Sequence, residues 1–359
     1  MTMSKSLYSK LTFGLTLMCL ASSCGSYATN ETSPRKTYAI VEYCDATLMC
    51  SIGQLNLEDK TVTQFVKVPE AILEVEVSLD SHKVAYTTGD AVGGKTLFVL
   101  DLVSGDTRQL IVDQTGFWIR GLTWFPDGTR IGFSSNKDQA DNNVGLFYID
   151  TSSQQITPIS TSRPVSYFGS WSPDGKLVAL EFSDDDKSEI VLWNTESLSP
   201  IRSLGDGYSP AWSPDGKYIV YTRLVDGQGG LYLYEASTGQ TSQLSYYNPL
   251  SQGRALYTYS WNPKGNGFAY IVELWNYNRR SFYIQSVGHS TEVEFVDFSG
   301  LLPGAFSWSP DGENLYVELL ERDAPLGESK LYEYSLSDKS LDVVLDKPGF
   351  YSVIGWLLK

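Results

Sequence analysis

The pentapeptide Trp171-Ser172-Pro173-Asp174-Gly175 recurs along the chain at nearly regular intervals. Three copies are intact, two are near copies, one is worn and one is truncated. In chain order, the anchor residues of these copies are Val77, Trp124, Trp171, Trp212, Trp261, Trp308 and Trp356. Successive anchors are 47, 47, 41, 49, 47 and 48 residues apart. A period in the forties, in sequence rich in strand-forming residues, predicts the blades of a β-propeller.

Each residue of the pentapeptide suits a tight hairpin turn. Pro173 already has the φ that the second turn position requires, and Asp174 is able to accept bonds from nearby backbone N–H groups. Gly175 takes the positive φ of the next position without steric cost. The alternating apolar run at residues 177–180 then indicates a strand after the turn. We expect the Trp before each turn to pack between neighbouring blades and not to stack on a ligand.

The rest of each repeat predicts a four-stranded sheet, with strands a to d in chain order. In the repeat anchored at Trp171, strand a ends near Trp171, and a polar tip at residues 183–187 separates strands b and c. The predicted strands b, c and d of this repeat cover residues 177–182, 189–194 and 199–204. One such sheet leaves both of its faces uncovered, whereas a ring of sheets buries them. The sequence therefore predicts an all-β propeller.

Seven anchors predict seven four-stranded blades. Before the first anchor, residues 37–43, 49–57 and 61–68 resemble strands b, c and d of a blade that lacks strand a. Residues 350–357 supply the missing strand, so the two ends of the chain are predicted to share one blade. This arrangement closes the ring and removes its open edge. The alternative is a six-bladed ring whose chain ends form a separate flap.

The N-terminal residues resemble a targeting signal. Residues 1–23 predict a signal peptide, with Lys5 and Lys10 before an apolar stretch at residues 11–20. Small residues before Cys24 resemble the bacterial lipoprotein signal, in which Cys24 becomes the lipidated first residue, although Ala21 departs from the usual Leu. The alternative is an ordinary secretory peptide.

The remaining chain divides into two parts. Residues 24–36 are predicted to form a lipidated tether, and residues 37–359 a single propeller domain. No later apolar run is long enough to span a bilayer. We expect an outer-membrane lipoprotein that faces the periplasm, with exposure at the cell surface as the alternative.

Two cysteines remain after the signal peptide and the lipidation site are set aside. Cys44 and Cys50 lie at the tip of the b–c hairpin in the shared blade, with five residues between them. An exported compartment permits disulfides, and a hairpin tip brings two Cα atoms within bridging range. We therefore predict a structural disulfide, with two free thiols as the alternative.

Charge and motifs narrow the function. The chain has 27 Lys and Arg against 42 Asp and Glu, a net charge of −15, which disfavours nucleic acid as a partner. It has no Gly-x-Ser-x-Gly motif, no phosphate loop and no dinucleotide fingerprint. Its two histidines, His82 and His289, do not make a metal site, and the Asp-rich tips at residues 138–143 and 184–186 lack the spacing of a Ca²⁺ loop. We therefore expect no cofactor, no metal and no enzymatic activity.

One set of residues suggests a binding face. Arg120, Tyr167, Tyr208 and Tyr257 each lie four residues before an anchor, on the side of the ring predicted to carry the longer loops. The flanking aromatic residues are Trp118, Trp275 and Tyr277. Tyr, Trp and Arg are enriched at recognition surfaces, so these seven residues are candidates for partner binding. The structural alternative is that Tyr is abundant here and that strand starts are often partly buried.

Over residues 37–358 the repeats resemble the TolB-type propeller of the bacterial Tol–Pal system. Two features differ, because TolB has an α/β domain before its propeller and its propeller has six blades. The chain is therefore expected to be TolB-like and not TolB itself. The resemblance implies a non-catalytic envelope lipoprotein that acts as a scaffold for a protein or peptide partner. The rival is a carbohydrate-binding or carbohydrate-active propeller, for which paired carboxylates are expected; the sequence does not place such a pair.

Overall fold

The computed structural model describes residues 37–45, 49–68, 71–90, 93–112, 117–136, 144–159, 161, 167–184, 187–197, 199–225, 228–246, 255–274, 279–288, 293–321 and 328–358. These residues form strands and turns, and no helix occurs among them. Among the same residues, there is also no helix that is long and apolar enough to cross a membrane. Cys24, Trp275, Tyr277 and the Asp-rich tip at residues 138–143 lie outside the described residues. The all-β prediction is confirmed.

The chain forms two compact units. The first contains the described residues up to Leu122 and from Gly300 onwards, and the second contains residues Thr123–Ser299. The strands of the first unit are β1 (Thr37–Cys44), β2 (Cys50–Asn56), β3 (Val62–Val68), β4 (Ile72–Val77), β5 (Lys83–Asp90), β6 (Gly93–Asp101), β7 (Thr107–Ile111), β8 (Ile119–Trp124, whose last two residues belong to the second unit), β24 (Leu302–Trp308), β25 (Asn314–Leu320), β26 (Ser329–Ser335) and β27 (Leu341–Leu358).

The second unit repeats one pattern along the chain. Its strands are β9 (Arg130–Ser135), β10 (Gly145–Asp150), β11 (Ile156–Ile159), β12 (Tyr167–Trp171), β13 (Leu177–Asp184), β14 (Lys187–Asn194), β15 (Ser199–Asp206), β16 (Tyr208–Trp212), β17 (Tyr218–Val225), β18 (Gln228–Glu235), β19 (Thr241–Tyr246), β20 (Ala255–Trp261), β21 (Gly267–Leu274), β22 (Arg279–Ser286) and β23 (Val293–Val296). Strands β12–β15, β16–β19 and β20–β23 form three antiparallel four-stranded sheets, each in chain order. These sheets are the blades that the repeats predicted.

The two ends of the chain share one blade in the first unit. Strand β1 pairs antiparallel with β27, from Thr37 opposite Leu358 to Cys44 opposite Phe350. Strand β1 also pairs with β2, and β2 pairs with β3. The C-terminal half of β27 therefore acts as strand a of the blade whose other strands are β1, β2 and β3, as predicted. The number of blades in the whole ring stays a prediction.

Strand lengths differ from the prediction at the b–c tips. In the repeat anchored at Trp171, β13 extends to Asp184 and β14 begins at Lys187, with Asp184 directly opposite Lys187. The polar tip is therefore shorter than residues 183–187. The difference arises because ladder hydrogen bonds extend a hairpin into polar residues, whereas the prediction ended the strand at its last apolar residue.

The pentapeptide turns are built on a network that the sequence showed only in part. In the copy at Trp171, Ser172 N–H donates to Leu177 O at 2.8 Å, and Gly175, at φ 69°, donates to Ser172 O at 2.8 Å. The Ser172 hydroxyl also donates to Asp174 Oδ1 at 2.7 Å and accepts the Leu177 N–H at 2.9 Å. The same serine bridge recurs at Ser78, Ser213 and Ser309. The serine is therefore the centre of the turn, whereas the prediction explained the turn by Pro, Asp and Gly and gave the serine no role.

The anchor tryptophans pack inside the structure. Trp171 Nε1 donates to Thr123 Oγ1 at 2.8 Å, and Trp261 Nε1 donates to Ala211 O at 3.0 Å, so each indole reaches the blade before its own. The Trp171 ring lies 4.6 Å from Phe125 between ring centroids. The structural interpretation of these tryptophans is confirmed for both residues.

Candidate functional site

Two of the candidate binding residues, Trp118 and Arg120, lie together in the first unit. The Arg120 guanidinium carbon lies 5.0 Å from the centroid of the Trp118 ring, which is a cation–π distance. Both side chains are partly exposed. A partly exposed planar cation on an aromatic ring is able to contact an aromatic, anionic or sugar group of a partner.

Three further candidates lie on first strands of blades in the second unit. Tyr167 and Tyr208 open β12 and β16, where they pair with Glu181 and Thr222, each ten residues after an anchor. In both strands the register shifts between this pair and the anchor tryptophan, which marks a β-bulge. Tyr208 is partly exposed.

Tyr257 occupies a different register from the other two tyrosines. Strand β20 pairs with β21 without interruption from Ala255 to Trp261, so Tyr257 lies opposite Val272, eleven residues after its anchor. Because each residue of a strand faces the side opposite to its neighbour's, one inserted residue changes the face. Equal spacing from the anchor therefore does not give the three tyrosines equivalent positions.

A glutamate holds the backbone immediately after Arg120. Gly121 N–H donates to Glu74 Oε1 at 2.9 Å, and Leu122 N–H donates to Glu74 Oε2 at 2.7 Å. The partly buried Glu74 belongs to β4, in the preceding blade. Burial raises the pKa of Glu74 to about 7, although the two N–H groups and the charge of Arg120 oppose this rise. Near neutral pH, the Glu74 carboxyl is therefore poised between its ionised and neutral forms.

The same contact recurs in the second unit. Ser209 N–H, directly after Tyr208, donates to Glu181 Oε2 at 3.1 Å. Burial raises the pKa of Glu181, while hydrogen bonds from Ser209 and Ser188 oppose the rise. Neither glutamate was predicted from the sequence, because neither belongs to a catalytic motif or an acidic loop. Glu181 has a signal in the sequence, since Glu181 and Glu318 each stand ten residues after an anchor Trp, but Glu74, three residues before Val77, does not share this position.

The structure places two pairs of acids close enough to influence one another. Glu74 and Glu76 are alternate residues of β4; burial raises the pKa of Glu76 well above its ordinary value, and the charge of Glu74 raises it further. In the shared blade, burial raises the pKa of Glu42 to about 8, with a further contribution from Glu318. Glu42 is only 7% exposed.

Glu318 connects two blades in the same way. Its carboxylate accepts the N–H groups of Ala305 and Tyr351, each at 3.3 Å, and the hydroxyl of Ser329. A Cβ on Gly304 would clash with Glu318 Oε2, so the close approach of this carboxylate requires glycine there. The acid therefore has a structural role in the first unit.

The disulfide is confirmed. Cys44 and Cys50 lie directly opposite each other in the β1–β2 ladder and are bonded, with their Cα atoms 4.0 Å apart. Glu42 and the two sulfurs form a cluster within 4.8 Å. The sulfurs are bonded to each other, so they are not thiolate ligands, and this cluster does not make a metal site.

Comparisons with known proteins agree with this architecture. Residues 122–271 match the family model of the TolB β-propeller domain. TolB from Acinetobacter baumannii has a similar structure, with a TM-score of 0.50 and 18% identity over 72% of this chain and 65% of that one. The resemblance to TolB-type propellers is confirmed. No relative was found among the curated proteins.

Other structures similar to this chain are enzymes or parts of enzymes. Oligogalacturonate lyase from Vibrio parahaemolyticus has a TM-score of 0.59 and 13% identity over 86% of this chain and 93% of that one. The β-propeller domain of the trilobed protease from Pyrococcus furiosus has a TM-score of 0.54 and 16% identity over 77% and 85%. The expectation that the chain is not an enzyme is therefore wrong, because the same fold occurs in a lyase and in a protease, and missing motifs of other enzyme folds do not exclude activity.

Proposed function

We propose that this chain is a lipid-anchored scaffold of the bacterial cell envelope, which binds a protein or peptide partner through its TolB-like propeller. The observation that carries the proposal is the pair formed by Trp118 and Arg120. A partly exposed Trp with an Arg on its face is typical of residues that dominate the energetics of protein interfaces. The match to the TolB propeller family supports an envelope role.

The experiment compares how well a partner is captured by variants of the candidate binding face and by variants beside the pentapeptide turns. Trp118→Ala and Arg120→Ala should each weaken capture of an envelope partner by tenfold or more, since an interface anchor contributes about 2 kcal/mol. Lys176→Ala and Lys217→Ala are matched controls beside the pentapeptide turns, where each Lys forms an exposed ion pair with a turn Asp. Capture lost only in the lysine variants would show that the binding face is the wrong one.

The lipid anchor is proposed from the signal-like residues 1–23 and Cys24. The mature protein should carry an acyl mass on an N-terminal peptide that begins at Cys24, and Cys24→Ser should release it into the soluble periplasmic fraction. Protease treatment of intact cells then distinguishes the periplasmic from the surface-exposed arrangement. An unmodified N-terminal peptide in wild-type protein would contradict the anchor.

The second candidate function is carbohydrate binding or carbohydrate chemistry. Two observations favour it, namely the interacting acids Glu74 and Glu76 on β4 and the partly exposed Trp118, because sugars are bound by aromatic plates and cleaved by carboxyl pairs. A glycan array probed with the wild-type protein and with Trp118→Ala tests it. Specific glycan binding that is lost in Trp118→Ala, without protein capture, would replace the scaffold proposal.

A further inference from the structure

Two candidate binding residues are followed by a residue with left-handed backbone. Gly121 follows Arg120 and has φ 63°, and Ser209 follows Tyr208 and has φ 53°. Glycine adopts this conformation readily, but a serine does so at a cost. Arg120 and Tyr208 are each joined to this left-handed residue by one planar peptide unit, so a contact that holds the left-handed residue also restrains the backbone from which the candidate side chain projects.

In both places the backbone N–H of the left-handed residue is bonded to a glutamate of the preceding blade. The N···O distance is 2.9 Å from Gly121 to Glu74 and 3.1 Å from Ser209 to Glu181. The two contacts lie in different compact units and are built from different strands, β4 with β8 in one and β13 with β16 in the other. The same solution has therefore arisen at two independent sites.

We propose that Glu74 and Glu181 are positioning residues. Each fixes the left-handed residue that follows a candidate binding side chain, and so sets the direction in which that side chain points. The inference rests on the proposed function, because it assigns these glutamates a role in the binding face. It does not extend to Glu318, whose N–H partner Ala305 is not left-handed and follows Gly304, which has no side chain to orient.

The charged and titratable neighbours are consistent with this role. The charge of Arg120 opposes the rise that burial causes in the pKa of Glu74. The charges of Glu74 and Glu181 add to the rise that burial causes in the pKa of Glu76 and of Tyr259, respectively. The Glu74 carboxylate thus binds the backbone that follows Arg120 and also interacts with the charge of Arg120. Loss of its charge should loosen both contacts together.

Amide hydrogen exchange at single residues tests the proposal without a ligand. Glu74→Leu should accelerate exchange at Gly121 and Leu122 about tenfold or more and leave Ser209 unchanged, and Glu181→Leu should do the reverse. Glu74→Gln and Glu181→Gln keep an acceptor oxygen and should give intermediate rates. Glu273→Gln, which removes a carboxylate paired with Arg280, is the matched control and should alter neither site.

Two further readouts separate positioning from general stability. The amide resonances of Gly121 and Leu122 should titrate with Glu74, whose pKa is about 7, and should be flat in Glu74→Gln. The Trp118 indole resonance should shift in Glu74→Leu, because the guanidinium of Arg120 no longer stays 5.0 Å above the ring. Near-UV circular dichroism confirms that each variant is folded. Unchanged amide exchange and an unchanged indole resonance in Glu74→Leu would overturn the proposal.

Partner capture from detergent-solubilised envelope extract completes the test. If the wild-type protein captures a partner, Glu74→Leu should weaken capture as Arg120→Ala does, and full capture by Glu74→Leu would overturn the positioning role. If the wild-type protein captures nothing, the proposed function fails. The amide and indole results then decide the positioning role by themselves.

Discussion

The first strand of a blade runs towards its pentapeptide turn. Carboxyls at the turn, which is called the far end here, and carboxyls near the opposite end have pKa values shifted in opposite directions. At the far end, the pentapeptide turn places an aspartate near water, and at Asp174 a hydrogen bond from Ser172 and the N–H of Lys176 lower the pKa of the carboxyl. At the near end, glutamates such as Glu74 accept backbone N–H groups too, but burial raises their pKa. Both carboxyls accept backbone N–H groups, but Asp174 also accepts the Ser172 hydroxyl and pairs with Lys176, whereas burial outweighs the hydrogen bonds at Glu74. The comparison teaches that the balance between burial, which raises the pKa, and hydrogen bonds and positive charges, which lower it, decides the protonation of these acids.

The largest loss of stability is expected when the C-terminal strand, which buries several large side chains, is deleted. Deletion of residues 350–359 takes away strand a of the shared blade, including the buried Tyr351, Val353 and Trp356. Each buried apolar side chain of this size contributes about 1.5–3 kcal/mol, so the loss is comparable with the whole stability of a domain. Thermal denaturation followed by circular dichroism should show no cooperative transition near the wild-type temperature. Trp356→Ala alone should give an intermediate loss of about 3–5 kcal/mol. A truncated chain that melts like wild type would contradict the shared blade.

A pH-dependent effect is expected at Glu42. Its pKa is raised from 4.5 to about 8, so the neutral form favours the fold. The stability that it contributes is fully present below pH 4.5 and is lost as pH rises through 8, by about 3–5 kcal/mol in total. Chemical denaturation of wild type and Glu42→Gln at pH 5 and pH 9 measures this. The variant should be the more stable at pH 9 and close to wild type at pH 5. Equal pH dependence in both proteins would show that Glu42 is not the group responsible.

At the turn end, the serine should matter more than the aspartate charge. Ser213 is fully buried, its hydroxyl donates to Asp215 at 2.7 Å and it accepts the Tyr218 N–H at 2.9 Å. Ser213→Ala leaves that N–H without its acceptor and should cost about 1–3 kcal/mol in the free energy of unfolding by urea. Ser197→Ala, at an exposed position, is the control and should be neutral. A neutral Ser213→Ala would mean that the hydroxyl bridge does not stabilise the turn.

The smallest effect is expected at Asp174. Its contribution to stability should depend on pH in the opposite direction to that of Glu42. The lowered pKa of Asp174 gives stability that is present above pH 3.8 and is lost as pH falls through its folded value. Asp174→Asn should therefore be slightly less stable than wild type at pH 7, and the difference should vanish near pH 2. A difference that persists at low pH would point to the geometry of the turn and not to its charge.

The pentapeptide turns were largely predictable from the sequence, whereas the bulges and buried glutamates at the opposite end of the first strands were not. Pro173, Asp174 and Gly175 have backbone preferences that act locally, so the hairpins and the sharing of a blade by the chain ends followed from the repeat. A bulge leaves no residue signature, because it depends on how two strands fit together. The register difference at Tyr257 was therefore invisible, and so was the contact between Glu181 and Ser209. Buried acids were missed because Glu is ordinarily expected at the surface.

The pairing of β1 with β27 has a consequence for the time course of folding. Thr37–Cys44 is synthesised first and has its strand partner in Phe350 and the residues after it, which emerge only after the whole intervening chain. Closing so long a loop is slow, since entropy must be lost before the contact forms. Until then, one edge of β1 presents unpaired backbone groups to any other strand nearby. The chain must therefore avoid aggregation during the interval between the synthesis of β1 and the synthesis of β27.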